Sequence, residues 1–284
     1  MDPLYPPVKD VLEFLQELYE RGLGYSCLNT ARSALSSFIV LDGNVTVGNH
    51  PLVQRFLKGV FQTRPAFPRY TSTWDTSIVL TYLKTLHPPQ EISLQNLTHK
   101  LVMLCALVTG QHCQTLHLMN LGQVHRHPDT SYIFLIDQLV KQSAPGRAQP
   151  VLLIPRFVAD SKLCVATVLD EYIVRTSSLR GEEQQLFISY AKPHHGVSKD
   201  TISRWIRTVM HKAGVDTTIF KPHSTRAAST SKARNCNVSL PVIMKAASWS
   251  NDCVFNTFYN KPVQPPNASD SFSHAILSAA METH

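Results

Sequence analysis

No run of the 284-residue chain is apolar for long enough to span a bilayer, and the opening MDPLYPPVKD lacks the pattern of a secretory leader. A soluble intracellular protein without membrane contact is expected. The six cysteines (27, 105, 113, 164, 236 and 253) include no C-x-x-C pair and are too sparse for a disulfide scaffold. Cys105, inside LVMLCALV, reads as a reduced core thiol. Histidines are more numerous, but His194-His195 and His125-Arg126-His127 fall in expected loops without partners at ligand spacing, so no metal and no other cofactor is expected. Internal repeats and low-complexity tracts are missing as well. Acids are the scarcer charge, 20 Asp+Glu against 27 Lys+Arg, which leaves +7 and suggests an anionic partner. The surplus is uneven. Between Lys192 and Arg234 stand nine basic residues (192, 199, 204, 207, 212, 221, 226, 232, 234) and two acids, Asp200 and Asp216. On charge alone, a solvated basic face is the ordinary alternative, and the weaker one.

The hydrophobic content of 43% can build one large core or two modest ones. Val8, Val11, Leu12, Leu15, Leu18 and Tyr19 form a helical stripe ended by Gly22 and Gly24. Ser26 is the expected cap of a second helix burying Leu28, Ala31, Leu35, Phe38 and Ile39, and Pro51 opens a third, Leu52 to Phe61. TRPAFPRYTST, Thr63 to Thr73, has two prolines, two arginines and no periodicity, and reads as a linker. A fourth helix is expected at Asp75 to Leu86, and a long apolar one runs from its cap Ser93 to Thr109, closed by Gly110. Tyr132 to Ile136 and Val151 to Ile154 are β-type runs around a polar Pro-Gly loop. Further helices are expected at Asp160 to Arg175, Ser198 to Ala213, Lys221 to Thr230, Leu240 to Ala247, Val254 to Phe258 and from Asp270 onward. The fold class is thus mainly α with a small antiparallel sheet. Residues 1–67 would form a helical domain, 68–73 a linker, 74–264 a mixed domain and 265–284 a tail whose Phe272, Ile276, Leu277 and Ala280 recur at helical spacing.

KPHSTRAAST, Lys221 to Thr230, sets His223 and Arg226 one helical turn apart with no acid between them. Lys141 begins the turn between the two β-runs, Trp249 follows Arg226 by 23 residues, and Tyr259 follows Trp249 by ten. Together these residue types suit transfer of a phosphodiester. Arg226 offers a planar fork to two non-bridging oxygens, and His223 a second donor or a proton shuttle. Lys141 can protonate a leaving oxygen, and Tyr259 is the one plausible nucleophile. Each residue has an ordinary alternative: Tyr259 and Trp249 as core aromatics, H-x-x-R as chance, Lys141 as hairpin decoration. Order and spacing together carry the reading.

That order resembles the tyrosine recombinases of the phage-integrase family, which present an arginine, a hairpin lysine, H-x-x-R, His or Trp, and a tyrosine. TGQHCQTLHLMNL, the L-V-K-x-S turn, PHSTRAASTSKA and AASWSNDCVFNTFYNKPV look like the catalytic domain. YSCLNTARSALSSF and HPLVQRFLKGVFQTRPAFPRY look like the N-terminal core-binding domain of DIRS, Ngaro and Crypton-type mobile-element recombinases. The resemblance implies a two-domain clamp on duplex DNA, cleavage and rejoining through a 3′-phosphotyrosine at Tyr259, no metal, no small-molecule substrate, and a dimer or tetramer on DNA in the nucleus. It also implies DNA contacts from Asn29 and Arg32 in the major groove, from Arg55 and Lys58, from the linker arginines Arg64 and Arg69, and from Arg204 and Arg207. The tail would pack on a neighbouring protomer. One position departs: Thr109-Gly110-Gln111-His112 places His112 where the first family arginine belongs. Histidine lacks the fork, and loss of one fixed donor typically costs about 10²–10³ in rate. A catalytically impaired, recombinase-derived DNA-binding protein is therefore the alternative.

Overall fold

Helix α1, Val8–Glu20, turns its Val11 and Leu15 inward and ends at Arg21, with Gly22 left-handed just beyond. The computed structural model describes residues 4–65, 70–140, 143–146, 148–249, 255 and 259–263. Helix α2, Tyr25–Leu35, starts two residues earlier than a Ser26 cap would allow: extended Gly24 is its N-cap, with no capping side chain. It also stops at Leu35, so Phe38 is 57% exposed rather than buried, while Ile39 does turn inward. The chain then makes a short hairpin, β1 Val40–Leu41 with β2 Val45–Thr46. Its tip places Gly43 and Asn44 at positive φ, which those two residue types tolerate best. Helix α3, Pro51–Thr63, has Pro51 in its first turn, where a missing N–H costs nothing, and His50 Nδ1 accepts from Leu52 N. Val11, Leu15, Leu28, Leu41, Val53, Leu57 and Val60 close this unit's core.

The chain divides into two compact units, 1–69 and 70–284. In the second, α4 (Thr76–Thr85) is capped by Asp75 and α5 (Leu94–Thr109) by Ser93, each side chain accepting a backbone N–H. Every residue of α5 from Leu97 to Ala106 is buried, so the helix is the axis around which the unit packs. Its Lys100 is fully buried, donates to Leu86 O at 2.5 Å, and is pushed down to about 8 by burial, Asp160 opposing. A five-residue helix, α6 (Cys113–His117), follows; it is too short to show a period in sequence. The sheet has three strands rather than two: β3 (Val124–Arg126), β4 (Tyr132–Leu135) and β5 (Val151–Ile154), antiparallel in that order, with Val124 opposite Phe134 and Tyr132 opposite Ile154. His125 and Arg126 thus lie in a strand, not a loop. Asp160 caps a single 3-10 turn, Ser161–Leu163, and α7 proper is Val165–Ser177. Then come α8 (Lys199–Lys212, capped by Ser198), α9 (Ser224–Asn235) and α10 (Leu240–Ala246). Helices α6 to α9 and strand β5 all pack against α5 or its neighbours. The expected helix Val254 to Phe258, apart from Phe255, and the stretch from Asp270 onward lie outside the described residues, as do Arg69 and Lys141.

Candidate active site

Arg226 sits in the first turn of α9 and is 1% exposed. Its Nη2 donates to Ala247 O at 2.6 Å, and its guanidinium carbon lies 4.2 Å from the centre of the Trp249 ring and 5.4 Å from that of Tyr259. Nε and Nη1, both buried, have no hydrogen-bond partner among the described residues. Burial lowers its pKa to about 10, with Tyr259 opposing, so the group stays charged at neutral pH. Holding that charge away from water costs about 3 kcal/mol, taking about 1.4 kcal/mol per pKa unit. An anion at Nε and Nη1 would offset this cost, and no carboxylate of the described residues stands there.

His223 occupies the N-cap of α9 and is exposed. Its Nε2 is 3.1 Å from Tyr259 Oη, a hydrogen bond in which the phenol donates whenever that nitrogen is unprotonated. The His223 ring stacks on that of His112, with centroids 5.0 Å apart and planes at 12°. Tyr259 packs on Trp249, centroids 4.5 Å apart, and Trp249 on the buried Phe255 at 5.2 Å. The backbone of Tyr259 is fixed to the arginine-bearing helix: Ser231 Oγ, on α9, donates to Tyr259 O at 2.6 Å and accepts from Lys261 N at 3.0 Å. Burial raises the pKa of the Tyr259 phenol, and the nearby Arg226 charge works against that rise. The phenol is therefore neutral at pH 7 and needs a base to attack.

The local sequence explains why these groups can converge. Gly110 ends α5 at φ +58°, and a Cβ there would meet Thr230 of α9 at 3.4 Å and Ala247 at 3.6 Å. Those are ordinary contacts; it is the left-handed backbone at this position that favours glycine. Next comes Gln111, 3% exposed, whose amide nitrogen donates to Ala246 O at 2.8 Å and Ser248 Oγ at 2.9 Å. It latches the segment carrying His112 to the same turn that receives Arg226. Sequence reasoning missed Gln111, since only its place between Gly110 and His112 could have marked it.

Gln111, His112, Val140, Ser203, His223 and Arg226 are among the residues lining a cavity of about 320 Å³. The structure thus brings together five of the six expected catalytic residues: His112, His223, Arg226, Trp249 and Tyr259. For the sixth, Lys141, only the preceding Val140 is described, and it lines the cavity.

The expected DNA contacts divide. Asn29, Arg32 and Lys58 line one concavity of about 360 Å³ on the first unit, with Tyr25, Gln54 and Phe61 among its other walls. Arg55 is exposed on α3. Arg64 instead folds back: its Nη1 donates to Tyr19 O at 2.5 Å and Leu23 O at 3.3 Å, and its guanidinium lies 3.8 Å from the Tyr19 ring centre. Its charge satisfies one carbonyl in the last turn of α1 and one just beyond the helix. Arg207 is exposed on α8, while Arg204 donates to Thr201 Oγ1 and borders a second cavity, about 660 Å³, with His99, Tyr190 and Trp205. Among the described residues no group of three His, Cys, Asp or Glu side chains could hold a metal ion, and no helix is long and apolar enough to cross a membrane.

No protein-family model and no curated protein matches the chain. Solved structures do. The XerH site-specific recombinase bound to palindromic difH substrate in a post-cleavage complex aligns with 98% of this chain and 72% of its own, at 12% identity and TM-score 0.59. The Tn1549 transposon integrase in complex with transposon right end DNA aligns with 97% of this chain and 85% of its own, at 13% identity and TM-score 0.58. A lambda integrase dimer bound to a COC′ core site aligns with 93% of this chain and 83% of its own, at 14% identity and TM-score 0.53. This likeness establishes the fold, the mainly helical arrangement with small antiparallel sheets seen in tyrosine recombinase catalytic domains.

Proposed function

We propose that the protein breaks and rejoins DNA through a 3′-phosphotyrosine at Tyr259, as a site-specific recombinase of a mobile element. The carrying observation is Arg226: a buried cation with two nitrogens unpartnered among the described residues, beside a tyrosine bonded to a histidine. In this reading the scissile phosphate enters the cavity and its non-bridging oxygens take up Arg226 Nε and Nη1. The Tyr259 oxygen attacks phosphorus as its proton passes to His223. The bond to the 5′ oxygen breaks, and Lys141 is the proposed donor of the proton that oxygen needs. Attack by a 5′ hydroxyl on the phosphotyrosine reverses the step and rejoins the strand. Packing against Trp249 holds the phenol beside the guanidinium, so attack and charge stabilisation occur at one place. DNA binding by Asn29, Arg32, Arg55, Lys58, Arg204 and Arg207, and contact of residues 265–284 with a neighbouring protomer, belong to the same proposal. His112 favours a second reading, in which the chemistry has decayed and DNA is only bound.

The two readings separate on nicked duplexes carrying candidate element ends, assayed for a covalent protein–DNA adduct. Adduct should form with the natural chain and vanish in Tyr259→Phe, while duplex affinity stays within about twofold. Adduct that persists in Tyr259→Phe would sink the assignment; DNA binding with no adduct under any condition would leave the second reading.

A further inference from the structure

The residues with which the second unit begins hold both halves of the candidate site. Tyr70 Oη accepts from Lys221 N at 3.2 Å, and its ring lies 5.6 Å from that of Phe220. Thr73 N donates to Pro262 O at 2.9 Å, and Thr73 pairs with Val263 in a parallel bridge. Trp74 is 4% exposed, and its indole N–H donates to Ser224 Oγ at 2.9 Å, also buried. Asp75, the cap of α4, places its carboxylate 3.6 Å from Lys232 Nζ near the far end of α9. Four residues within one six-residue stretch therefore grip the chain two residues before His223, one residue after it, again on α9, and three to four residues past Tyr259.

We infer that residues 70–75 form a positioning strap that sets the distance between Tyr259 and the His223–Arg226 helix, with Trp74 as its central positioning residue. The inference deepens the proposed reaction and rests on Tyr259 as its nucleophile. Three features argue for position over mere packing. The strap reaches α9 and the Tyr259 segment independently, through side chains to one and backbone to the other. Its bond to Ser224 is made at the first residue of α9, so a shift there turns His223 at the N-cap and Arg226 together. The indole N–H is donor only, so it can meet Ser224 in one geometry, unlike a hydroxyl that rotates to suit.

Trp74→Phe in the full chain keeps an aromatic ring but deletes the N–H together with the five-membered part of the indole; Ser224→Ala deletes the acceptor alone. The primary readout is the Tyr259 Cζ resonance in protein labelled at tyrosine, assigned by its loss in Tyr259→Phe. Each variant should move that resonance, and the double variant should move it no further than either single one. Melting of Ser224→Ala should fall by only about 2–4 °C, as expected for one hydrogen bond in a unit of this size, and that of Trp74→Phe by more, since it also leaves a gap in the core. Adduct formation on nicked duplex should slow by about tenfold with duplex affinity within twofold, since sub-ångström misplacement of a nucleophile is enough for that. A Tyr259 resonance unmoved in both folded variants overturns the strap. Should Trp74→Phe fail to fold, Ser224→Ala decides alone. If the natural chain forms no adduct, the proposed reaction falls, while the resonance still decides the strap.

Discussion

Replacing His112 with arginine tests the site most directly. His112 caps α6 from an extended backbone, stacks on His223 and lines the cavity that Arg226 also faces. It is half-buried, so a longer side chain has open volume ahead of it rather than core. Two opposing effects can be sized. In the empty site a second guanidinium roughly 6–8 Å from Arg226 would repel it by about 2–3 kcal/mol at an effective dielectric of 20. With a phosphate between them the repulsion becomes a clamp. One added preorganised donor to the developing charge is worth about 10²–10³ in rate, or about 2.7–4 kcal/mol. His112→Arg should therefore melt several degrees lower than the natural chain when free, regain that loss in the presence of an oxyanion such as vanadate, and form adduct on nicked duplex about 10²–10³ times faster. Duplex affinity should change far less, because phosphate contacts elsewhere are untouched. His112→Ala supplies the baseline that shows what the imidazole itself contributes. If His112→Arg and His112→Ala both cleave at the natural rate while Tyr259→Phe abolishes adduct, His112 does not face the phosphate and the reasoning fails.

Binding to duplex should weaken about 10³-fold between 50 and 200 mM salt if about six phosphates are neutralised, and Lys58→Ala should lower the salt slope by about one unit. Arg64→Ala should leave that slope alone and cost stability instead, because its fork is committed to Tyr19 O and Leu23 O; an equal loss of slope would show that Arg64 reaches DNA. Acid should strike at His99, which is 3% exposed, has neither ring nitrogen hydrogen-bonded among the described residues, and is held at about 4 by burial and then by Lys212. Its folded pKa lies below the unfolded 6.5, so the unfolded chain binds the extra proton between pH 6.5 and 4. Stability from this group is complete above 6.5 and lost progressively toward 4, by up to about 3 kcal/mol. Urea melts at pH 7, 5.5 and 4.5 should show a shallower pH dependence in His99→Phe than in the natural chain, and parallel curves would refute the assignment.

How much of this was readable in advance depended on distance along the chain. Asp75, Ser93 and Ser198 mark helix starts because a cap bonds to a backbone N–H two or three residues away, and Gly110 marks an end by its own φ. The order of His223, Arg226, Trp249 and Tyr259 was likewise visible, since those residue types announce their chemistry wherever they stand. What stayed hidden was either too short to show a period, as with the two-residue strands β1 and β2 and the single turn and a half of α6, or decided by a remote partner. Gln111 has no local signature; its bonds to Ala246 and Ser248 cross more than 130 positions. Tyr70 to Thr73 read as linker because prolines and the lack of periodicity are what a linker and a strap share. Their bonds to Lys221 and Pro262, and the Trp74–Ser224 pair 150 positions apart, exist only in the folded chain. The consequence reaches beyond this segment. A site whose chemistry is written in a few recognisable residues can have its geometry set by residues that look expendable. A substitution at Trp74 is therefore expected to slow the proposed reaction at Tyr259 while every residue of the recognisable motif remains in place.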